Sequence, residues 1–376
     1  MIRLASLIDT FEADYLAAYG DGMLPSQRKA LSALKICRTS AAPVMQVHCE
    51  ACGHVEVIPH SCGHRSCPHC QNHESQRWIE RQQARLVPAQ YFLVTFTLPA
   101  SLRPLAWANQ RTLYDRMTRC AWETLRTFAH NDTALKGEAG AIAVLHTHSR
   151  RLDYHPHVHV VMPAAAIDAK GRRWRTKRRS QHGAGKGRYL FSHKALANVF
   201  RGKLLAAVTG AGLALPAGYP ADWVVDCKHV GSGEKALVYL GRYLYRGVVR
   251  EQDILACENG QVTFRYRHAK RNRWEYRTLP GAQFLALVLQ HVLPKGFRRA
   301  RNFGFLHPNS KRSITLLHYL FGMVVKRTPA DEKPRPQLRC RCCGASMRIT
   351  GVGMPPRPRS DEAPPLPLLA AEAAVM

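Results

Sequence analysis

Residues 144–163 read VLHTHSRRLDYHPHVHVVMP, and the alternation within this stretch decides the architecture. Successive side chains of an extended strand point to opposite faces. His155, His157 and His159 therefore share one face, while Pro156, Val158 and Val160 take the other and can enter a core. The runs AIAVLHTH (141–148) and HPHVHVVM (155–162) are separated by six residues of turn and charge, which predicts an antiparallel hairpin. Histidines at i and i+2 stand ~6.6 Å apart at their Cα atoms, near enough for both rings to reach one divalent cation. The hairpin would bring either His146 or His148 alongside them. Two or three imidazoles leave open positions for a substrate oxygen, and Mg2+ or Mn2+ suit such a site when that oxygen belongs to phosphate.

A second stretch, GSGEKALVYLGRYLYRGVVR (231–250), predicts a helix from Glu234 to about Val248. It stacks Tyr239 and Tyr243 at i and i+4 on one face. Arg242 and Arg246 follow each tyrosine by three residues, Lys235 precedes the first by four, and Leu237, Leu240, Leu244 and Val248 form the opposite, apolar face. A phenol titrates near 10, so as a nucleophile it needs cations that stabilise the phenolate and the transition-state charge. Taken alone, a basic aromatic helix reads as a surface that stacks on bases. Together with the histidine strand it completes a kit for covalent phosphodiester cleavage.

Elsewhere the pattern predicts helices over 25–37, 74–86, 104–130, 194–208 and 283–292, a strand at YFLVTFTL (91–98), and a hairpin of QVTFRYR with RWEYRTL. The class is α+β, a central antiparallel sheet flanked by helices and preceded by a small helical, metal-binding domain. The expected division is 1–88, 89–312 and 313–376, the last ending in a Pro-rich tail expected to be disordered.

Cys49-x2-Cys52 and Cys67-x2-Cys70, with fourteen residues between, form two knuckles that predict one structural, tetrahedral Zn2+. Cys62, His60, His64 and His69 lie close enough in sequence to offer a different ligand or a second metal. Cys340-x2-Cys343 is half a knuckle, equally readable as unliganded thiols.

Charge sets the class of partner. Lys+Arg 55 against Asp+Glu 26 leave 55 − 26 = +29 with histidine neutral, which points to nucleic acid. The longest apolar runs are about ten residues, too short to span a bilayer, which needs about 20. The N-terminus has no secretory pattern, so a cytoplasmic, nucleoid-associated protein with reduced cysteines is expected. The run 170–188 and the cluster near residue 300 offer Arg172, Arg173, Arg175, Lys177, Arg178, Arg179, Arg298, Arg299 and Arg301 to the DNA backbone.

The block SCGHRSCPHCQ (61–71), the strand YFLVTFTLP, the stretch VLHTHSRRLDYHPHVHVVMP, the helix YLGRYLYR (239–246) and HVLPKGFRRARNFGFLH (291–307) together resemble the HUH transposases of rolling-circle insertion sequences of the IS ninety-one type. The resemblance spans roughly residues 20–310. It implies a sheet-centred nuclease in which His157 and His159 hold the catalytic metal with His146 as third ligand. It also implies that Tyr239 and Tyr243 attack single-stranded DNA in turn, assisted by Arg242 and Arg246, each giving a 5′-phosphotyrosine. His148 stands where members commonly carry an aromatic residue, and Ser66 replaces a frequent histidine. The alternatives are a replication initiator or relaxase with the same chemistry, and a non-catalytic zinc-finger regulator.

Overall fold

A computed structural model describes residues 2–168, 173–177, 190–245, 247–268, 271–323 and 337–353. Along the chain run helices α1 (Leu4–Tyr19) and α2 (Pro25–Ile36), strands β1 (Val44–His48) and β2 (Val55–Pro59), helix α3 (Asn72–Gln83), strand β3 (Tyr91–Thr97), helices α4 (Arg103–Ala108) and α5 (Gln110–Asn131), and strands β4 (Glu138–His148), β5 (Tyr154–Pro163), β6 (Ala165–Asp168) and β7 (Arg173–Thr176). After them come α6 (His193–Thr209), β8 (Val225–His229), α7 (Glu234–Tyr245), β9 (Ile254–Glu258), β10 (Gln261–Arg267), β11 (Trp274–Pro280), α8 (Gly281–Leu289), β12 (Ala300–Gly304), α9 (Lys311–Leu320) and β13 (Arg348–Gly353).

Two compact units emerge, Met1–Lys35 with Cys62–Arg335, and Ile36–Ser61 with Pro336–Met376. This partition differs from the linear one into 1–88, 89–312 and 313–376. The physical reason lies in the smaller unit, where β1 is the middle strand between β2 and β13. Segments 300 or more positions apart thus share one sheet, over a small core of Val47, Cys49, Cys340 and Met347.

The larger unit is built on a seven-stranded antiparallel sheet in the order β7-β6-β4-β5-β3-β8, with β12 also paired to β4. β3, β4 and β5 are rich in Val, Ile, Phe and Ala, which suits strands buried on both faces. On one face Val94, Phe96, Leu145, Val158 and Val160 pack with Leu113 and Met117 of α5 and Phe200 and Leu204 of α6. On the other, Tyr91, Ile142, Val144 and Val161 pack with Trp78 and Ile79 of α3, Leu237, Leu240 and Leu244 of α7, and Leu317 of α9. Each such side chain contributes about 1.5–3 kcal/mol when fully buried.

The predicted hairpin is β4 with β5, in a register that sets Ile142 opposite Val161 and His146 opposite His157. α6 begins on Ser192, whose side chain accepts the Ala195 N–H, a helix-start device worth about 1 kcal/mol. α7 stops at Tyr245, short of the expected Val248, and Arg246 lies outside the described residues. α7 lies close on α3 because Gly241 has no side chain: a Cβ there would meet Ile79 Cγ1 at 2.3 Å. Ser75 of α3 donates to the Gly241 carbonyl at 2.9 Å, which fastens the same crossing.

Candidate active site

The α7-facing rows of the sheet change character toward one end. Along β4 the row runs Ile142, Val144, His146, His148, and along β5 it runs Val161, His159, His157, His155. Apolar residues at one end anchor the helices, and imidazoles fill the other. Alternation in the sequence predicts this shared face, and the register sets the two histidines of β4 apart. His146 stands opposite His157, whereas a register shift puts His148 opposite Tyr154.

His146, His157 and His159 each bring a ring nitrogen within 4.8 Å of the other two. His157 Nδ1 lies 2.6 Å from the His155 carbonyl; that oxygen can only accept, so Nδ1 carries the proton and Nε2 keeps its lone pair. Thr95 Oγ1 holds His159 Nδ1 at 2.8 Å. His146 is 1% exposed, and its Nε2 has no hydrogen-bond partner. A buried imidazole nitrogen without a partner is costly, and three converging imidazoles suit a divalent cation as chemistry and as geometry.

Burial, reinforced by the neighbouring rings of His159 and His157, holds His146 well below the usual histidine range. Burial likewise lowers His157 well below it and brings His159 down to about 4. All three are therefore neutral at pH 7 and available as ligands. His155 is drawn aside by Arg103, whose Nη2 lies 2.7 Å from its Nδ1.

Over this cluster sits α7. The Tyr243 ring stacks on His146 with centroids 3.2 Å apart and 12° between planes, and its Oη accepts the Thr147 N–H at 3.2 Å. Burial pushes the Tyr243 phenol up to about 12, opposed by Arg299 and by the backbone N–H groups of Thr147 and His148. Tyr239 is 50% exposed and lies farther out, its ring 6.2 Å from His146 and 6.1 Å from His159. Burial raises its phenol too, and Arg150 opposes that shift. The two tyrosines thus share a face as their spacing predicted, but one is wrapped against the imidazoles and the other meets solvent.

Cations from other elements also reach the tyrosines. Arg242 and Lys235 are exposed, while the Arg299 guanidinium lies 5.5 Å over the Tyr243 ring. Arg299 was grouped by sequence with Arg298 and Arg301 as a DNA-backbone contact. Its Nη1 instead donates to the Leu244 carbonyl at 3.4 Å, and burial lowers its pKa. Arg301 pairs with Asp115 at 2.6 Å, and Arg298 remains exposed. In the basic run, Arg175 pairs with Asp168 at 3.0 Å, Lys177 pairs with Asp132, and Arg173 is exposed on β7. Arg172, Arg178 and Arg179 lie outside the described residues.

The cysteines also regroup. Cys49 and Cys52 belong to the smaller unit. Their sulfurs lie with those of Cys340 and Cys343, all four within 4.8 Å of one another. Cys67 and Cys70 converge with Cys62, the Cys62 and Cys70 sulfurs 3.7 Å apart, which makes three of the four ligands of a tetrahedral zinc site.

Comparison with known proteins decides the family. The family model "Transposase zinc-binding domain" matches residues 7–98, and the family model "Putative transposase" matches residues 140–313. The chain is 31% identical over 398 residues to "Putative transposase y4qJ" of Sinorhizobium fredii, covering 92% of this chain and 97% of that protein. The chain belongs to the IS91-type transposases. It is also 30% identical over 362 residues to the transposase for insertion sequence element IS801 of Pseudomonas savastanoi pv. phaseolicola, covering 88% of this transposase and 85% of that one. The solved structure of the conjugative relaxase TrwC in complex with oriT DNA aligns over 62% of this chain and 72% of that one, at 14% identity and a TM-score of 0.26, a likeness too slight to bear on the fold.

As a transposase the protein is an enzyme that acts on DNA, and its zinc-binding domain and clustered thiols make Zn2+ a cofactor. Among the described residues no helix is long and apolar enough to cross a membrane. Two residues beside the tyrosines and imidazoles went unread in the sequence, Arg150 near Tyr239 and His291, whose ring lies 5.0 Å from His148, and Arg299 beside Tyr243 was read only as a backbone contact.

Proposed function

We propose that this transposase cuts and rejoins single-stranded DNA through 5′-phosphotyrosine intermediates formed on Tyr239 and Tyr243, with a divalent cation held by His146, His157 and His159. The observation that carries the reading is the stack of Tyr243 on His146, within a cluster of three imidazoles whose ligand nitrogens converge. A cation such as Mg2+ or Mn2+ would supply charge neutralisation at the scissile phosphate.

The chain's own groups account for the rest. In each transfer a phenol oxygen bonds to phosphorus and the P–O3′ bond breaks. The phenol gives up its proton, and the freed 3′ oxygen gains one. Arg299 and the Thr147 N–H stabilise the Tyr243 phenolate, and Arg150 does so for Tyr239, where preorganised charge is worth most. Tyr239, the exposed member, takes the first strand, and Tyr243 is presented once DNA draws α7 outward. Two nucleophiles permit two transfers, at the element's end and at the target, without a double-strand break. Arg173, Arg298, Arg242 and Lys235, all exposed, hold the backbone.

The test is a single-stranded oligonucleotide from the element's own end, incubated with the protein and Mg2+ or Mn2+. Cleavage is expected to depend on the metal and to leave a protein–DNA species that survives denaturing electrophoresis. His157→Ala with His159→Ala should abolish both. Undiminished cleavage by that double variant would rule the site out.

A further inference from the structure

We propose that Cys49, Cys52, Cys340 and Cys343 form a zinc site separate from that of Cys62, Cys67 and Cys70, with half of its ligands far beyond the matched zinc-binding segment, residues 7–98. The pairs cross: the Cys49 and Cys343 sulfurs are 3.5 Å apart, and those of Cys52 and Cys340 are 3.6 Å apart. Zinc–sulfur bonds of ~2.3 Å in a tetrahedron put sulfurs about 3.8 Å apart, so one ion fits among the four with little adjustment.

The two halves are built alike, which a chance meeting of thiols does not explain. Each is Cys-x2-Cys-Gly, and the glycines Gly53 and Gly344 have φ of 71° and 74°, a left-handed turn that glycine adopts without strain. In the first, Gly53 N–H donates to the Cys49 carbonyl at 2.8 Å and Cys49 N–H to the His54 carbonyl at 2.8 Å. In the second, Gly344 N–H donates to the Cys340 carbonyl at 2.9 Å and Cys340 N–H to the Ala345 carbonyl at 2.8 Å. The same turn thus occurs twice, at the head of the β1–β2 hairpin and ahead of β13. Cys70 is followed by Gln71 and lacks this signature.

A four-thiolate set with no open position is a structural site, and its donors are those zinc takes. Its consequence is topological, because the zinc would join β13 to the N-terminal hairpin across the whole catalytic segment. This inference does not depend on the nuclease reading and is tested without activity.

The full-length protein, purified with zinc, is alkylated under native conditions with and without a chelator and mapped by mass spectrometry. Cys52, Cys342 and Cys343 are all exposed. Cys342 is therefore expected to react in both conditions, whereas Cys52 and Cys343 react only after chelation, together with Cys49 and Cys340. Metal analysis gives the second arm: Cys340→Ser with Cys343→Ser, and Cys49→Ser with Cys52→Ser, should each lose one zinc per chain, and the fourfold variant should lose that same one. Alkylation of Cys343 as fast as Cys342 in the zinc-loaded wild type would overturn the proposal. So would full zinc retention by the Cys340→Ser, Cys343→Ser variant.

Discussion

Gly241→Ala tests whether the close crossing of α7 on α3 is what sets the tyrosines over the imidazoles. The added Cβ would lie 2.3 Å from Ile79 Cγ1, 2.9 Å from Ile79 Cδ1 and 3.0 Å from Trp78 Cε3. Both neighbours are 6% exposed, so neither can swing into solvent. Restoring an ordinary contact of 3.4 Å requires α7 to retreat by 3.4 − 2.3 = 1.1 Å. Alanine gains about 1 kcal/mol over glycine in a helix interior, while overpacking a filled core costs about 1–3 kcal/mol. Weakening the Ser75 hydrogen bond to the Gly241 carbonyl adds about 1 kcal/mol. The net expectation is a loss of about 1–3 kcal/mol in urea unfolding. A 1 Å displacement of a reacting group also costs about 10²-fold in rate, so cleavage should fall far more than the stability loss explains. Ile79→Ala removes the clashing atoms, so a double-mutant cycle should show coupling of at least ~1 kcal/mol. A Gly241→Ala variant that is more stable by the propensity term alone, cleaves normally and is additive with Ile79→Ala would refute the reasoning.

Other perturbations separate the two tyrosines and the charges around them. Tyr243→Phe strands the Thr147 N–H and should cost about 1 kcal/mol in thermal unfolding, whereas Tyr239→Phe, which removes a half-exposed hydroxyl, should leave the midpoint unchanged. Arg299→Gln in a Tyr239→Phe background should move the pH dependence of adduct formation upward, since Arg299 opposes the rise of the Tyr243 phenol; an unmoved profile would remove Arg299 from the chemistry. His148 is brought down to about 4 by burial, so between pH ~6.5 and ~4 the unfolded chain binds a proton that the folded one refuses. Metal-free protein should therefore lose stability as pH falls through that window, by up to about 3 kcal/mol from this ring, and His148→Phe should flatten the curve. Gly304→Ala places a Cβ 1.7 Å from the Ala139 carbonyl oxygen at a φ of +55°, and should prevent β12 from pairing with β4, read as loss of soluble protein.

Much of the fold was legible because its central strands and helices carry their own periodicity. YFLVTFTL and the two runs of the histidine hairpin are too apolar or too regularly alternating to be anything else, and α5, α6 and α7 show stripes at helical spacing. β8, β12 and β13 escaped notice, since VDCKH, ARNFG and RITGVG gain strand character only from the neighbours they pair with. Alternation placed the histidines of β5 on one face, but only register shows that His146, and not His148, stands opposite His157. Helix-local spacing points to Arg242, whereas Arg150 and Arg299 reach the tyrosines from other elements, which spacing within one helix cannot show. The cysteine spacing suggested a partnership of Cys49 and Cys52 with Cys67 and Cys70, whereas within the smaller unit their sulfurs gather with those of Cys340 and Cys343. The glycine after Cys52 and after Cys343, absent after Cys70, is a local sign of that grouping.

The central claim is that tyrosine phenols on α7 become bonded to DNA, and peptide mapping of the covalent species tests it most directly. Protein trapped on a single-stranded oligonucleotide is digested with protease and nuclease and sequenced by mass spectrometry. The expected result is a nucleotide attached to Tyr239 or Tyr243, absent when both are phenylalanine. Attachment at any other residue, or cleaved DNA with no attached peptide, would contradict the account.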